Sequence, residues 1–276
     1  MSLALILPLT LVSCGNEELS QQEAVQIVAE AVSAAAEVAT CKFDLSTAIT
    51  IEKTGGDEPG TMEATIDGTG AVDRDSRQIQ ISVNAAVATH GTGKREMAME
   101  YYVVDDWLYA KLALTEMGSR WVKTKLTDDI WQAQNQLEQQ IELMETATEV
   151  RFVGSENVNS TACYVVEIAP SAEELSEFLS RQTVPGTNMN WAEINLEPLF
   201  EETFIKLWIA QNSYLLLKSE IDILMEITAE DAGAGEEDFE KLTLATNTQT
   251  KLYNYNEAAS IELPEQALEA PEIPGR

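Results

Sequence analysis

Hydrophobic spacing changes twice along this chain, and each change marks a boundary in its predicted architecture. Ser20 followed by Glu23 forms a capping-box signature, and Ala24, Ile27, Val28, Ala31, Val32 and Ala35 then recur at helical spacing. A first amphipathic helix is predicted to run to about Ala39. From Cys41 the period drops to two: Phe43, Leu45, Ile49 and Ile51 alternate with Asp44, Ser46, Thr50 and Glu52, as a half-buried strand requires.

The same alternation returns in Met62, Ala64 and Ile66, in Ile79, Ile81, Val83 and Ala85, in Met97, Met99, Tyr101 and Val103, and in Trp107 to Leu114. Turn chemistry separates these runs: the cluster from Gly55 to Gly60, Asp73 to Ser76, His90 to Gly93, and the pair Asp105 and Asp106. A short strand from Trp121 to Lys125 precedes a second helix, opened by Thr127, Asp128 and Asp129, whose carboxylates suit the positive end of a helix dipole. Ile130, Gln134, Leu137, Ile141 and Met144 share one of its faces.

Strands resume at Val150 to Val153 and Ala162 to Ile168, turned at Asn159 and Ser160, and a short helix carrying Leu175, Phe178 and Leu179 follows Pro170 and Ser171. Arg181 to Leu199 reads as irregular. Three more strands are predicted, at Thr203 to Ala210, Leu215 to Ile227 and Lys241 to Tyr253, with an acidic loop from Glu230 to Glu240 between the last two. About ten strands with hairpin-length connections and no β-α-β alternation argue for one antiparallel sheet. So many strands must curl. The expected fold is therefore α+β: a large curved sheet, an open half barrel, with helices covering its concave face.

The first line of sequence has a different logic. Leu3 to Val12 is too short to span a bilayer, which needs about 20 residues, but suits a signal-peptide core. Leu11, Val12, Ser13 and Cys14 follow it directly and look like a bacterial-type lipobox, with a small residue before the cysteine that would be acylated. Residues 1–13 are thus expected to be a signal peptide, Cys14 a lipidated N-terminus, 14–19 a tether, 20–264 a single domain and 265–276 a loose Pro-rich tail. Cys41 and Cys163 are left either as a disulfide closed outside the cytoplasm or as two buried thiols.

A formal net charge of −30 repels phosphates, so nucleic acid is excluded as an electrostatic partner, and anionic lipid surfaces with it. Catalytic chemistry is thinly represented. His90 is the single histidine and lies in a glycine turn, no Cys or His cluster suits zinc, and Gly91 to Arg95 lacks phosphate-loop spacing. Glu230, Asp231, Glu236, Glu237, Asp238 and Glu240 lack the ordered ligand pattern of a calcium loop and read as a solvated run. Asn159, Ser160 and Thr161 form a glycosylation acceptor pattern at a turn. No catalytic residue, metal or cofactor is expected, and the chain is expected to be a monomer. Large adaptable side chains are the candidates to line a cavity: Met97, Met99, Tyr101, Trp107, Trp131, Leu137 and Ile141, with Tyr109 and Trp121 beside them.

The element order over most of residues 20–264 resembles that of the periplasmic lipoprotein carriers LolA and LolB and of the mycobacterial lipoproteins LppX and LprG. Local patterns carry the likeness: Trp121, Val122, Lys123, Thr124 before a helix; Gly154 to Asn159 leading into Cys163, Tyr164 and Val165; Trp208, Ile209, Ala210 before Leu215, Leu216, Leu217 and Lys218; and Tyr255, Asn256 with Ile261 to Pro264 at the close. The resemblance implies an unclosed barrel with a lidded hydrophobic cavity for acyl chains or an acylated partner. The alternative is a structural or surface-interaction lipoprotein whose sheet is filled by its own side chains.

Overall fold

The computed structural model describes residues 19–56, 59–89, 93–114, 118–171, 173, 175, 203–230 and 239–273. Among them eleven strands form one antiparallel sheet: β1 (Thr40–Thr54), β2 (Gly60–Asp73), β3 (Gln78–Thr89), β4 (Gly93–Val104), β5 (Trp107–Leu114), β6 (Gly118–Lys125), β7 (Ala147–Val158), β8 (Thr161–Pro170), β9 (Ile205–Ala210), β10 (Leu216–Thr228) and β11 (Lys241–Tyr253). The helices are α1 (Gln21–Ala36), α2 (Asp128–Gln134), α3 (Gln136–Glu145) and the single turn α4 (Glu265–Leu268). The spatial order is β6-β5-β4-β3-β2-β1-β11-β10-β9-β8-β7. β1 is central, the N-terminal meander builds outward from it, and the C-terminal strands build inward from the opposite edge to close against it.

That order explains why the sheet is open and curved. The chain leaves the sheet at one edge, β6, and re-enters at the other, β7, through α2 and α3. Ten interstrand steps of about 4.8 Å make a flat sheet about 48 Å wide. The linking segment of two helices, seven and ten residues long, and four non-helical residues reaches only about 39 Å end to end. The two edges must therefore approach each other, and the helices that join them lie across the face between them.

Tight turns set the register. Asp105 and Asp106 have φ of 52° and 62°, and Asn159 and Ser160 have 48° and 70°. Positive φ at both central residues is the signature of the two-residue type I′ hairpin, which matches strand twist. Asn and Asp tolerate that region better than most side chains, as the sequence pattern at both places expected.

Alternate residues then fall on two faces. The inner face carries α1 and α3: Ala24, Ile27, Val28, Ala31 and Ala35 of α1 are buried, as are Leu137, Leu143 and Met144 of α3. These join Phe43, Ile49, Ile51, Val72, Ile79, Val103, Val166, Ile168, Ile205, Leu207, Ile221, Ile223, Met225 and Leu252 in one apolar cluster. Ser20 accepts from the Glu23 amide at 3.3 Å while the Glu23 carboxylate accepts from the Ser20 amide at 2.8 Å, the reciprocal cap that the sequence signature implied. In β2, Gly70 is required by a close approach: a Cβ there would lie 2.3 Å from Phe43 Cζ and 2.7 Å from the Gln80 carbonyl oxygen.

Two expectations are corrected. The second helix is two helices, because the buried Asn135 leaves the helical region (ψ 92°) and its side-chain oxygen caps the Glu138 amide at 3.2 Å. The tail is not loose as far as Ile273. The Lys123 amide donates to the Pro271 carbonyl at 3.0 Å and the Ile273 amide donates to the Lys123 carbonyl at 2.9 Å, a parallel bridge along the free edge of β6. An edge strand offers unpaired backbone groups, and the C-terminal segment satisfies two of them.

Candidate functional site

The strand registers decide where each candidate residue points. Ile79 pairs with Val103, Ile81 with Tyr101, Val83 with Met99 and Ala85 with Met97, so Met97, Met99 and Tyr101 lie on the inner face with the core residues of β3. All three are half-buried. Met99 and Tyr101 pack against the main cluster, and the Tyr101 hydroxyl donates to the Met99 sulfur at 3.1 Å. Burial raises the Tyr101 phenol pKa above its ordinary 10.0, so it stays a neutral donor. Trp131 of α2 and Leu137 of α3 are buried in the same cluster, with half-buried Ile141 against it. The Arg77 guanidinium covers the Trp131 ring at 5.3 Å.

Trp107 is a correction. The two-residue turn makes Val103 face Leu108 and Val104 face Trp107, which sends Trp107, Tyr109 and Lys111 to the outer face. Tyr109 and Trp121 are there too, with Tyr102, in a separate cluster closed by Ala267 and Ala270 and flanked by Ile261 and Leu263. Tyr102 and Trp121 meet at 5.9 Å between ring centroids. The ammonium groups of Lys123 and Lys125 sit 4.9 and 4.3 Å from the Trp107 centroid. These aromatics are occupied by the chain's own C-terminal segment and do not line the inner face.

The disulfide alternative is also corrected: both cysteines are free and buried. Cys41 joins the inner cluster, whereas Cys163 packs on the outer face with Val165 and Trp208. Three strands lie between β1 and β8, about 19 Å along the sheet, against about 7 Å as the upper Cα separation for a disulfide. Desolvation pushes the Cys41 thiol up to about 12, and burial also raises Cys163.

Sequence reading missed a row of hydroxyls on the inner face at the centre of the sheet. Thr47 of β1 faces Thr248 of β11, with their oxygens 3.2 Å apart, and Ser219 of β10 faces Thr250 of β11. Thr246, Thr248 and Thr250 follow one another on the same face. Ser219 is 1% exposed and its hydroxyl has no hydrogen-bond partner. The signal was present in the alternation of Thr246, Thr248 and Thr250, which reads as an ordinary polar face until the register turns it inward.

Among the described residues no group of three or more His, Cys, Asp or Glu side chains is arranged to hold a metal, and no helix is long and apolar enough to cross a membrane. Asn159 and Ser160 are exposed at their turn. Leu175 is buried, and its amide donates to the Ser171 carbonyl at 3.0 Å, the start of the predicted helix. Cys14, His90, Phe178, Leu179 and residues 231–238 of the acidic loop lie outside the described residues.

Among solved structures, the chain is similar to the lipoprotein LppX of Mycobacterium tuberculosis, at 13% identity over 88% of this chain and 100% of that one, with a TM-score of 0.42. It is also similar to LprF of Mycobacterium bovis, at 14% identity over 90% and 99% of the two chains, with a TM-score of 0.47. A putative outer membrane lipoprotein-sorting protein domain from Vibrio parahaemolyticus matches at 9% identity over 87% and 95%, with a TM-score of 0.25. Among curated proteins the sequence has no match. Residues 23–272, which include every strand of the sheet and almost all of α1, match the family of unknown function DUF6612, and the chain belongs to that family.

Proposed function

We propose that this chain is a membrane-anchored lipoprotein, held outside the cytoplasm by acylation at Cys14, that binds a hydrophobic ligand between the curved sheet and its helices. The observation that carries the reading is incomplete burial of the apolar inner face. Leu45, Met62, Ile66, Val87, Met97, Met99 and Tyr101 all lie on that face and all remain half-buried, beside neighbours such as Phe43, Ala64 and Ile79 that are sealed. A sheet that only needed a core would close over these side chains, because native interiors leave few voids larger than a water molecule. Methionines are suited to such a surface, since the unbranched thioether repacks around ligands of different shape.

Binding would be driven by apolar area removed from water, at about 25 cal/mol per Å², less the cost of ordering the ligand. No catalytic step belongs to this reading. The filled-core alternative has its own support in Trp131 and Leu137, which are already buried against the inner cluster and leave no room at that end. Native mass spectrometry with lipid extraction separates the two. Protein carrying Cys14→Ser, purified from its own host, is expected to release a co-purified hydrophobe of defined mass; protein that is uniformly ligand-free overturns the carrier reading.

A further inference from the structure

We propose that the hydroxyl row on the inner face is a polar subsite, and that the ligand is a neutral amphiphile whose ester or hydroxyl group hydrogen-bonds to it. The inference rests on the carrier reading and adds to it the chemical class of the ligand.

Position gives the first argument. Thr47, Thr246, Thr248, Thr250 and Ser219 occupy adjoining inner positions on three neighbouring strands, β1, β11 and β10. They are flanked on the same face by Leu45, Ile49, Ile221, Ile223 and Leu252. A greasy surface with one polar stripe at its middle matches a molecule with acyl chains and one polar junction. Thr47, Thr246 and Thr248 are half-buried where Thr250 and Ser219 are sealed, so the middle of the row is accessible from the inner face.

Unmet hydrogen bonding gives the second. Ser219, on the row itself, is 1% exposed with an unpartnered hydroxyl. Leaving a buried polar group unpaired is costly, and each such group calls for a partner. Serine and threonine both donate and accept, so the row can serve an ester carbonyl as donor and an alcohol as acceptor.

Charge gives the third. The row and its flanking inner positions contain no ionisable side chain. A phosphate or carboxylate buried there would find hydroxyls but no cation to offset its desolvation. The subsite therefore selects neutral head groups and rejects ionised ones.

The test uses the full chain with Cys14→Ser and three probes: dioleoylglycerol, oleate, and squalene, which has chain but no polar group. Bound probe is counted by native mass spectrometry after equilibration with probe-loaded vesicles, in the parent and in the double variant Thr47→Val and Thr248→Val, whose side chains keep their shape. The expected result is that the parent prefers dioleoylglycerol to both other probes. The variant should lose about tenfold in dioleoylglycerol affinity, the value of two neutral hydrogen bonds, with squalene loading kept. Equal loading of dioleoylglycerol in parent and variant overturns the subsite while the carrier reading stands. A parent that prefers oleate also overturns it. A parent that loads none of the three overturns both. Retained squalene loading shows the variant is folded; should it lose squalene as well, Ser219→Ala, which removes only an unpartnered hydroxyl, supplies the same comparison.

Discussion

Strands β4, β5 and β6 carry two rows of large side chains that are alike in bulk and opposite in role. Met97, Met99 and Tyr101 line the inner face and stay half-buried, whereas Tyr102, Tyr109 and Trp121 pack on the outer face under the chain's own C-terminal segment. One row is left accessible and the other is covered. The difference lies in what each row meets: the outer aromatics have Ala267 and Ala270, both buried, docked against them, together with a backbone bridge to β6. Size and aromaticity mark a residue as needing apolar company, but not whether that company is the protein itself or a ligand.

Removing the cover should give the largest effect. Deleting residues 265–276 uncovers Trp121, Tyr102 and Tyr109 and frees the β6 edge. A loss of about 3 kcal/mol is expected from the re-exposed aromatic surface, read as a lower urea midpoint, with self-association in light scattering from the opened edge. If the urea midpoint holds, the C-terminal segment is not what closes the outer row.

On the inner side, Gly70→Ala forces a Cβ into the Phe43 ring and the Gln80 carbonyl, and overpacking of this kind costs about 2 kcal/mol. Thr69→Ala, one residue away on the exposed outer face, should shift stability by no more than about 0.5 kcal/mol. Equal effects from the two would deny that the faces differ.

Alkaline pH tests the burial of the inner cluster by chemistry. Burial raises the Cys41 thiol from 9.0 to about 12 and takes the Tyr255 phenol well above 10.0, so the folded state holds both protons more tightly than the unfolded chain. Their contribution is whole below pH 9 and is lost as pH rises from about 9 toward 12. Urea midpoints measured across that range should fall, and Cys41→Ala should flatten the decline; a parent midpoint that stays level to pH 11 contradicts it. Asn135→Ala should cost about 1 kcal/mol through the lost cap of α3, read as a urea midpoint against Gln136→Ala at the neighbouring position.

The smallest and most discriminating comparison is functional. Met99→Ala should weaken loading of dioleoylglycerol about fivefold, the equivalent of roughly 1 kcal/mol of apolar contact, while Trp107→Ala leaves loading unchanged. Reversed results would move the ligand to the outer face.

Much of this was legible before any coordinates. Alternation located the strands, and Asp105 with Asp106 and Asn159 with Ser160 located hairpins that the positive φ values bear out. The turn between β4 and β5 by itself fixes the face of Trp107. A two-residue turn makes paired positions on β4 and β5 sum to a constant odd number, so odd residues before the turn share a face with even residues after it. Met99 and Trp107, both odd, must then part. Asn135 was less accessible, because Ile130, Leu137, Ile141 and Met144 keep helical spacing across the break and a buried cap leaves no mark on that period.

The sequence by itself determined the class of fold: alternating runs, turn residues and short connections permit an antiparallel sheet and little else, because those signals act between neighbours in the chain. Tertiary structure alone decided which face each row served, that Cys41 and Cys163 stand on opposite faces, that the C-terminal segment closes an edge, and that Thr47, Thr248, Thr250 and Ser219 meet. Those outcomes depend on pairings between positions as distant as Thr47 and Thr248, 201 residues apart, and local spacing carries no record of them.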